Sequence, residues 1–437
     1  MPAPSTGRVA QPYTSASPGP ALPAEQLARN FAEIAPPLTP DAALLEANQC
    51  LYCHDAPCTV ACPTHIDVPS FIRKIATGNL RGSARVILDA NPMGHSCARA
   101  CPVEVLCEGA CVLNDRDEEP IKIALLQRHA TDWALDHDYQ PFSAGPKRGK
   151  RIAVIGAGPA GLSCARDLRR NGYAVTVFDS KSQPGGLNSY GIAEYKMRLP
   201  LALAEVKMIL DLGIDLKTGV SVGTDVSMET LLEEFDAVFV AVGLGATRRL
   251  GIPGEDLRGV DDALVFIEHL KSNPHSETRI GRRVVVVGAG NTAIDAATQA
   301  KRLGAGHVTI AYRRGPEDMS AYDYEYDLAK KDGCEFRFHA VPRAILGNGK
   351  VERLECDVQG SKHVIECDTV LRAIGQLPRE ELAKTLGLRV DGAKLVSDNP
   401  RVLVGGDCGN GGAEIVNAAA EGVQAAKRFH ELLNRHG

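Results

Sequence analysis

Twice in this chain a short apolar strand runs into a glycine-rich turn that opens a helix, and this repeat constrains the fold more than any other feature. Ile152–Ile155 leads into Gly156-Ala157-Gly158-Pro159-Ala160-Gly161, a helix through Arg170 and a second strand at Ala174–Phe178. About 130 residues later the pattern returns: Val284–Val287, then Gly288-Ala289-Gly290-Asn291-Thr292-Ala293, a helix over Thr292–Leu303 and a strand at Val308–Tyr312. The first glycine permits a tight turn and the second lets the backbone approach an anion. The third position, glycine or alanine, lets helix and strand pack closely. Two βαβ units predict two nucleotide sites, each with its phosphates over a helix N-terminus.

The second signal is cysteine. Of thirteen in 437 residues, eight fall between Cys50 and Cys111. Their spacing is Cys50-x2-Cys53-x4-Cys58-x3-Cys62-Pro, Cys97-x3-Cys101-Pro and Cys107-x3-Cys111. The first forty residues are rich in Pro, Ala and Ser and lack a basic stretch followed by an apolar one. They therefore read as an irregular arm (1–40), not as a secretory signal. The expected location is cytoplasmic, where a disulfide framework is unfavoured and metal or redox-cofactor binding is the better reading. Structural zinc usually shows paired knuckles. The tight run of four, and Pro after Cys62 and Cys101, resemble instead the ferredoxin-type run. Two [4Fe–4S] clusters are expected. One partition gives a cluster to each run. The other exchanges the cysteine before proline, so that Cys62 joins Cys101, Cys107 and Cys111 while Cys50, Cys53 and Cys58 need a fourth ligand.

The net charge of -5 shows no general bias toward nucleic acid or anionic membrane. No apolar run approaches the roughly 18 residues of a membrane span. Residues 41–140 read as an α-helical domain, with helical spacing over Ala42–Gln49, Val68–Thr77 and Ile121–His137; in the last, Leu125, Leu126, Ala130 and Trp133 share a side. Gln140–Lys150 reads as a linker. The rest is α/β.

Recognition sharpens this. LYCHDAPCTVACPTHIDVPSFIRKI, with CARACPVEVLCEGACVLNDRDEEPIKIALLQRHATD, is similar to the N-terminal iron–sulfur domain of the dihydropyrimidine dehydrogenase family. The remainder resembles the flavin and nicotinamide domains of that family. Over its whole length the chain resembles the small subunits of the bacterial NAD-dependent enzymes, an architecture shared with glutamate synthase small subunits. The resemblance implies a glutamine cluster ligand inside an "LQ" after the last cysteine, here Gln127, and no ligand role for Cys97. Glutamate synthase small subunits carry an acidic residue there and a shorter third cysteine run, so both features favour the pyrimidine branch.

The resemblance also implies the site residues. The first turn (Gly156, Gly158, Pro159, Ala160, Gly161) would bind FAD. Asp179, about 20 residues on, can accept from a ribose hydroxyl. Gly185-Gly186-Leu187 would continue the site as in flavoprotein disulfide-reductase-like folds, with Lys196 in the stretch YGIAEYK. Gly406-Asp407 would reach the ribityl chain, and the helix starting near Glu414 would face the flavin carbonyl edge. The second turn (Gly288, Gly290, Asn291, Thr292) would bind NAD(P). Arg313 and Arg314 suit a 2′-phosphate. Ser320 replaces the further arginine of the NADPH-using enzymes, with Glu317 and Asp318 near, and NAD(H) is the expected nucleotide. Ala373-Ile374-Gly375 would return the chain past both cofactors.

The expected fold is thus an N-terminal α-helical double [4Fe–4S] domain followed by two Rossmann-like α/β domains, the NAD(P) domain (251–369) inserted in the FAD domain (141–250 and 370–437). The activity implied is electron transport from nicotinamide through flavin and clusters, and hydride transfer itself needs no assigned general acid. The chain has no room for an FMN-bearing barrel, so a separate FMN/iron–sulfur catalytic subunit is the expected partner, in a hetero-oligomer that reduces uracil or thymine. Cys164, Cys334, Cys356, Cys367 and Cys408 form no redox pair and are expected to be inert. The charges from Asp323 to Asp332 read as a solvated helix face.

Overall fold

A computed structural model describes Tyr13 and residues 15–434. The chain divides into two compact units. One comprises Ile34–Ser189, Lys196–Gly245 and Pro378–Gly437; the other comprises the N-terminal segment to Glu33, Tyr190–Tyr195 and Ala246–Leu377.

The first unit begins with helices alone; among the described residues no strand precedes Arg151. Local caps start two of these helices. Thr39 accepts from the Ala42 amide to start Pro40–Asn48, and Asp67 accepts from the Ser70 amide to start Val68–Ala76. In the latter Val68, Phe71, Ile72 and Ile75 are buried, the i, i+3, i+4, i+7 stripe of a helix lying on a core. Leu80–Ala90, Gly94–Ala100 and Ile123–Asp136 complete this part. The linker after it is anchored by Phe142, whose ring lies under the Arg166 and Arg170 guanidinium groups at 5.4 and 4.1 Å.

From Arg151 the unit is a five-stranded parallel sheet, ordered Val402–Val404, Ala237–Val240, Arg151–Ile155, Ala174–Asp179, Asp215–Thr218. Its two central strands are apolar because helices cover both faces. Pro159–Arg170 and the C-terminal helix Ile415–Asn434 pack closely: a Cβ on Gly422 would lie 2.2 Å from the Ala160 carbonyl oxygen, so only glycine allows this crossing.

The second unit holds another five-stranded parallel sheet, ordered Val260–Asp262, Thr369–Arg372, Arg283–Val287, His307–Ala311, Glu335–Arg337. The expected insertion is present, since this unit enters after Gly245 and leaves before Pro378. It also carries an antiparallel sheet, Ala340–Leu346, Arg353–Val358 and Ser361–Glu366, that was not anticipated.

The N-terminal arm departs from expectation. Residues 1–12 and 14 lie outside the described residues. The remainder is ordered: Ala24–Asn30 is a helix, Tyr13 packs edge-on against Phe266 at 5.1 Å, Phe31 lies 4.1 Å from His275, and Asn30 donates to the Arg302 carbonyl at 2.7 Å. The cause is a thin apolar pattern, Tyr13, Leu27 and Phe31, that finds a partner surface the composition does not reveal. The charged helix Asp323–Lys331 also has one exception, since Glu325 is buried.

Candidate redox-cofactor sites

The first glycine turn is built as its spacing predicts. Gly156 has φ +106°, and a Cβ there would meet the Ala241 carbonyl oxygen at 2.3 Å; on Gly161 it would meet the Gly156 carbonyl oxygen at 1.9 Å. Gly158 differs, because the nearest atom to its Cβ position, Gly186 Cα, is 3.8 Å away. Gly158 has no side-chain cap to offer Pro159–Arg170, so the Ala160 and Gly161 amides of the first turn are left for an anion. Gly185 donates its N–H to the Ala157 carbonyl at 2.7 Å, which lays the second glycine pair against the first turn beside Leu187.

Asp179 accepts from the Ala157 amide at 2.7 Å and from the Lys181 amide at 2.8 Å. It therefore braces the turn, and each carboxylate oxygen retains a lone pair for a hydroxyl. Lys196 is buried. Gly406, at φ +70°, precedes Asp407, whose carboxylate accepts from the Ala413 amide at 3.3 Å. Burial pushes the Asp407 carboxyl up, and the charges of Glu421 and Glu414 add to this. Glu421 was not anticipated: it accepts from the Gly406 amide at 2.6 Å and from Asn410 Nδ2 at 2.9 Å, fixing the loop that presents Asp407. Its only sequence signal was helical phase on Ile415–Asn434. Glu414 stands immediately before that helix. The open backbone at Gly158, the free helix end and the acceptors at Asp179 and Asp407 fit a dinucleotide such as FAD, whose hydroxyl groups would donate to those two carboxylates.

The second glycine turn opens on a cavity of about 780 Å³. Gly288, Gly290, Asn291, Thr292, Arg313, Arg314, Ala373, Ile374 and Gly375 all line it, so those predicted residues are brought together. Gly288 has φ +128°, and a Cβ there would lie 2.2 Å from the Ala373 carbonyl oxygen. Ser320 Oγ stands 3.1 Å from the Cβ position of Gly290. Sequence reasoning missed Arg248 and Arg249, which also line the cavity; the dipeptide after the glycine-rich Gly243–Thr247 stretch was the available signal. Arg249 pairs with Asp256 at 2.6 Å, and Arg314 lies 3.8 Å from Asp318. Arg248 and Arg313 have no ion pair among the described residues. Size, glycine turn and cationic rim fit a nicotinamide dinucleotide.

The cysteines fall into two sets. Cys50, Cys53, Cys58 and Cys111 line one small cavity, together with Val68, Ile72 and Leu113. Burial pushes the Cys58 thiol up to about 11, and Cys50 and Cys111 add to the rise. Cys101 is pushed well up, first by its hydrogen bond with Cys97 and by burial, then by the neighbouring Cys107 and Cys62. Cys111 thus shares a cavity with Cys50, Cys53 and Cys58, whereas both partitions read from spacing place it with Cys107. Sequence separation does not disclose which distant run a cysteine packs beside. Gln127 is buried in Ile123–Asp136, and its Nε2 donates to the Gly94 carbonyl at 2.6 Å. Among the described residues no three His, Cys, Asp or Glu side chains gather as a single-ion site. Buried thiols that raise one another are the donor set a cationic iron–sulfur cluster would deprotonate. Cys164, Cys334, Cys356, Cys367 and Cys408 are all buried free thiols. Among the described residues no helix is long and apolar enough to cross a membrane.

Comparisons with known proteins agree with this layout. Residues 27–139 match the family model described as dihydropyrimidine dehydrogenase domain II, 4Fe-4S cluster, and residues 150–422 match pyridine nucleotide-disulphide oxidoreductase. The chain is 36% identical to the glutamate synthase [NADPH] small chain of Escherichia coli (strain K12), covering 91% of this chain and 92% of that one. It is 32% identical to the NAD-dependent dihydropyrimidine dehydrogenase subunit PreT of Salmonella typhimurium, covering 92% and 97%. Among solved structures, FprA of Mycobacterium tuberculosis in complex with NADPH aligns with a TM-score of 0.55 at 22% identity, over 67% of this chain and 86% of that one, a likeness of fold.

Proposed function

The chain belongs to the pyridine nucleotide-disulphide oxidoreductase family, in the glutamate synthase small-subunit-like branch with an iron–sulfur domain ahead of the nucleotide-binding domains, and from that premise we propose that it is the electron-input subunit of a dihydropyrimidine dehydrogenase. In coarser terms it is an NAD(P)H-dependent flavin and iron–sulfur oxidoreductase. When bound, the cofactors supply two-electron hydride acceptance and one-electron release. The chain's own residues hold and orient them. Gly156–Gly161 and Gly185–Leu187 cradle FAD, Asp179 and Asp407 accept from its hydroxyl groups, and the helix after Glu414 favours negative charge at the ring.

Gln127 carries the pyrimidine reading. It is a buried neutral amide where the alternative branch has an acid. Its Nε2 is committed to the Gly94 carbonyl, which leaves Oε1 as the ligating atom. We assign Cys50, Cys53, Cys58 and Cys111 to one [4Fe–4S] cluster, and Cys62, Cys101, Cys107 and Gln127 to the other. The partner would be an FMN/iron–sulfur subunit that reduces uracil or thymine. The test is coupled NAD(P)H-dependent dihydropyrimidine formation with that partner. Glutamate formation with a glutamine-dependent partner would instead establish the second reading, a glutamate synthase small subunit, which the 36% identity favours.

For the nicotinamide, Ser320 with Glu317 and Asp318 nearby supports NAD(H). A specific observation favours NADP(H) as the second reading: Arg248 and Arg313 reach the cavity without acidic partners among the described residues. The ratio of kcat/KM for the two nucleotides decides between them.

A further inference from the structure

Helix Gly94–Ala100 is short, and its N-cap residue Met93 has no side-chain acceptor for the first amides. A carboxylate distant in sequence supplies one. Glu205, in helix Leu199–Leu210, accepts through Oε1 from the His95 amide at 2.8 Å and the Ser96 amide at 3.2 Å; its Oε2 accepts from the Ser96 hydroxyl. Ser96 Oγ in turn accepts from Asn188 Nδ2 at 3.0 Å. Glu205 is 2% exposed, Ser96 0% and Asn188 3%.

The two ends of this network matter. Asn188 follows Gly185-Gly186-Leu187 directly, on the flavin side. Helix Gly94–Ala100 leads into Cys101, and its Gly94 carbonyl receives Gln127, on the cluster side. One buried carboxylate therefore joins the two.

Burying a carboxylate is costly unless donors hold it. Burial pushes Glu205 up to about 7 against the Ser96 and His95 donors that pull it down. The nearby charges offer little more. Arg99 is engaged by Asp132 at 2.6 Å and Arg128 by the same carboxylate at 3.1 Å, and the His95 imidazole, which burial pushes down to about 3, has its Nδ1 3.2 Å from that carboxylate too. A leucine at this position would bury more simply but could not hold two amides and a hydroxyl at once.

We propose that Glu205 is a positioning residue for electron passage from the flavin site to the iron–sulfur site, holding helix Gly94–Ala100 in register with the Asn188 turn through Ser96. This rests on the electron-input reading above.

The test uses the anaerobically purified full chain with Glu205→Gln, Glu205→Asp and Ser96→Ala. Iron and FAD contents are measured first. Flavin bleaching by NAD(P)H and the appearance of reduced-cluster EPR signals are then timed separately in rapid-mixing experiments. Glu205→Gln should keep KM and flavin bleaching within about twofold, slow cluster reduction at least tenfold, and raise the midpoint potential of a cluster or the flavin at pH 8.5, where a buried negative charge is lost. Glu205→Asp should restore the potential and part of the rate. Ser96→Ala should slow cluster reduction without moving the potential. Full cofactor content with cluster reduction within twofold of the parent in both Glu205→Gln and Ser96→Ala overturns the proposal. Should Glu205→Gln fail to load iron, Ser96→Ala decides alone. A parent protein lacking flavin or clusters would bring down the electron-input reading itself, an outcome distinct from loaded variants with unslowed transfer.

Discussion

Two glycines in the first turn should respond to alanine in different ways, because one is packed and the other is open. At Gly161 the added methyl would stand 1.9 Å from the Gly156 carbonyl oxygen. That oxygen would have to retreat by more than about 1 Å to reach a tolerable contact. It has little freedom to do so: the Gly156 amide is bonded to the Phe178 carbonyl at 2.7 Å, and its Cα faces the Ala241 carbonyl. The overpacking cost should fall at the upper end of the usual range, about 3 kcal/mol. At roughly 2–4 °C per kcal/mol that lowers Tm by about 6–12 °C. Where FAD needs the undistorted turn, restoring it in the complex lowers FAD affinity as well, by up to roughly 100-fold. At Gly158 the backbone is extended (φ -83°, ψ -178°) and the nearest atom is 3.8 Å from the Cβ position. Alanine fits the folded chain there, and the apo protein should unfold within about 2 °C of the parent. Yet the methyl occupies the space where the backbone meets the pyrophosphate, so FAD affinity should fall at least about tenfold, near 1.4 kcal/mol. Thermal unfolding of the apo chains and FAD titration by flavin fluorescence quenching measure both quantities. A Gly158→Ala protein that binds FAD as tightly as the parent would refute the placement of the pyrophosphate over this turn.

Four further outcomes are expected. Protein purified without oxygen should contain one FAD and about eight iron with eight sulfide per chain; zinc without acid-labile sulfide would contradict the cluster reading. Cys111→Ala should abolish the same EPR signal as Cys53→Ala, while Cys107→Ala and Gln127→Leu remove or shift the other one and Cys97→Ala keeps both; a Cys111→Ala protein that loses the Cys107 signal would reverse the partition. Arg313→Ala should weaken NADPH more than NADH, and a tenfold difference in kcat/KM corresponds to about 1.4 kcal/mol; equal losses for both nucleotides would mean that Arg313 does not meet a 2′-phosphate. The isolated chain should reduce dyes with NAD(P)H but leave uracil and thymine untouched, and uracil reduction without a partner would defeat the two-subunit reading.

Much of this protein was legible because its signals are local. The βαβ units were visible at Ile152–Ile155 and Val284–Val287, since a buried parallel strand must be continuously apolar and the turn after it must be glycine wherever φ is positive. The helix expected over Val68–Thr77 was visible from its spacing, which puts Val68, Phe71, Ile72 and Ile75 on one buried side. The antiparallel sheet from Ala340 to Glu366 was missed because its strands are half exposed and its third, Ser361–Glu366, has no clean alternation.

Sequence by itself marked out the candidates for the chemistry: the glycines and the clustered thiols through spacings of a few residues, and Gln127 through family resemblance alone. Tertiary structure alone decided how they are shared out. Cys111 is nearer to Cys107 in sequence than to Cys50, yet it lines the cavity of Cys50, Cys53 and Cys58. Arg248 reaches the nucleotide cavity from well before the second turn. Glu205 serves a helix whose residues His95 and Ser96 lie far upstream. Such pairings depend on where loops close and helices cross. Helical or strand periodicity says which face of an element is buried, but not which distant element covers it.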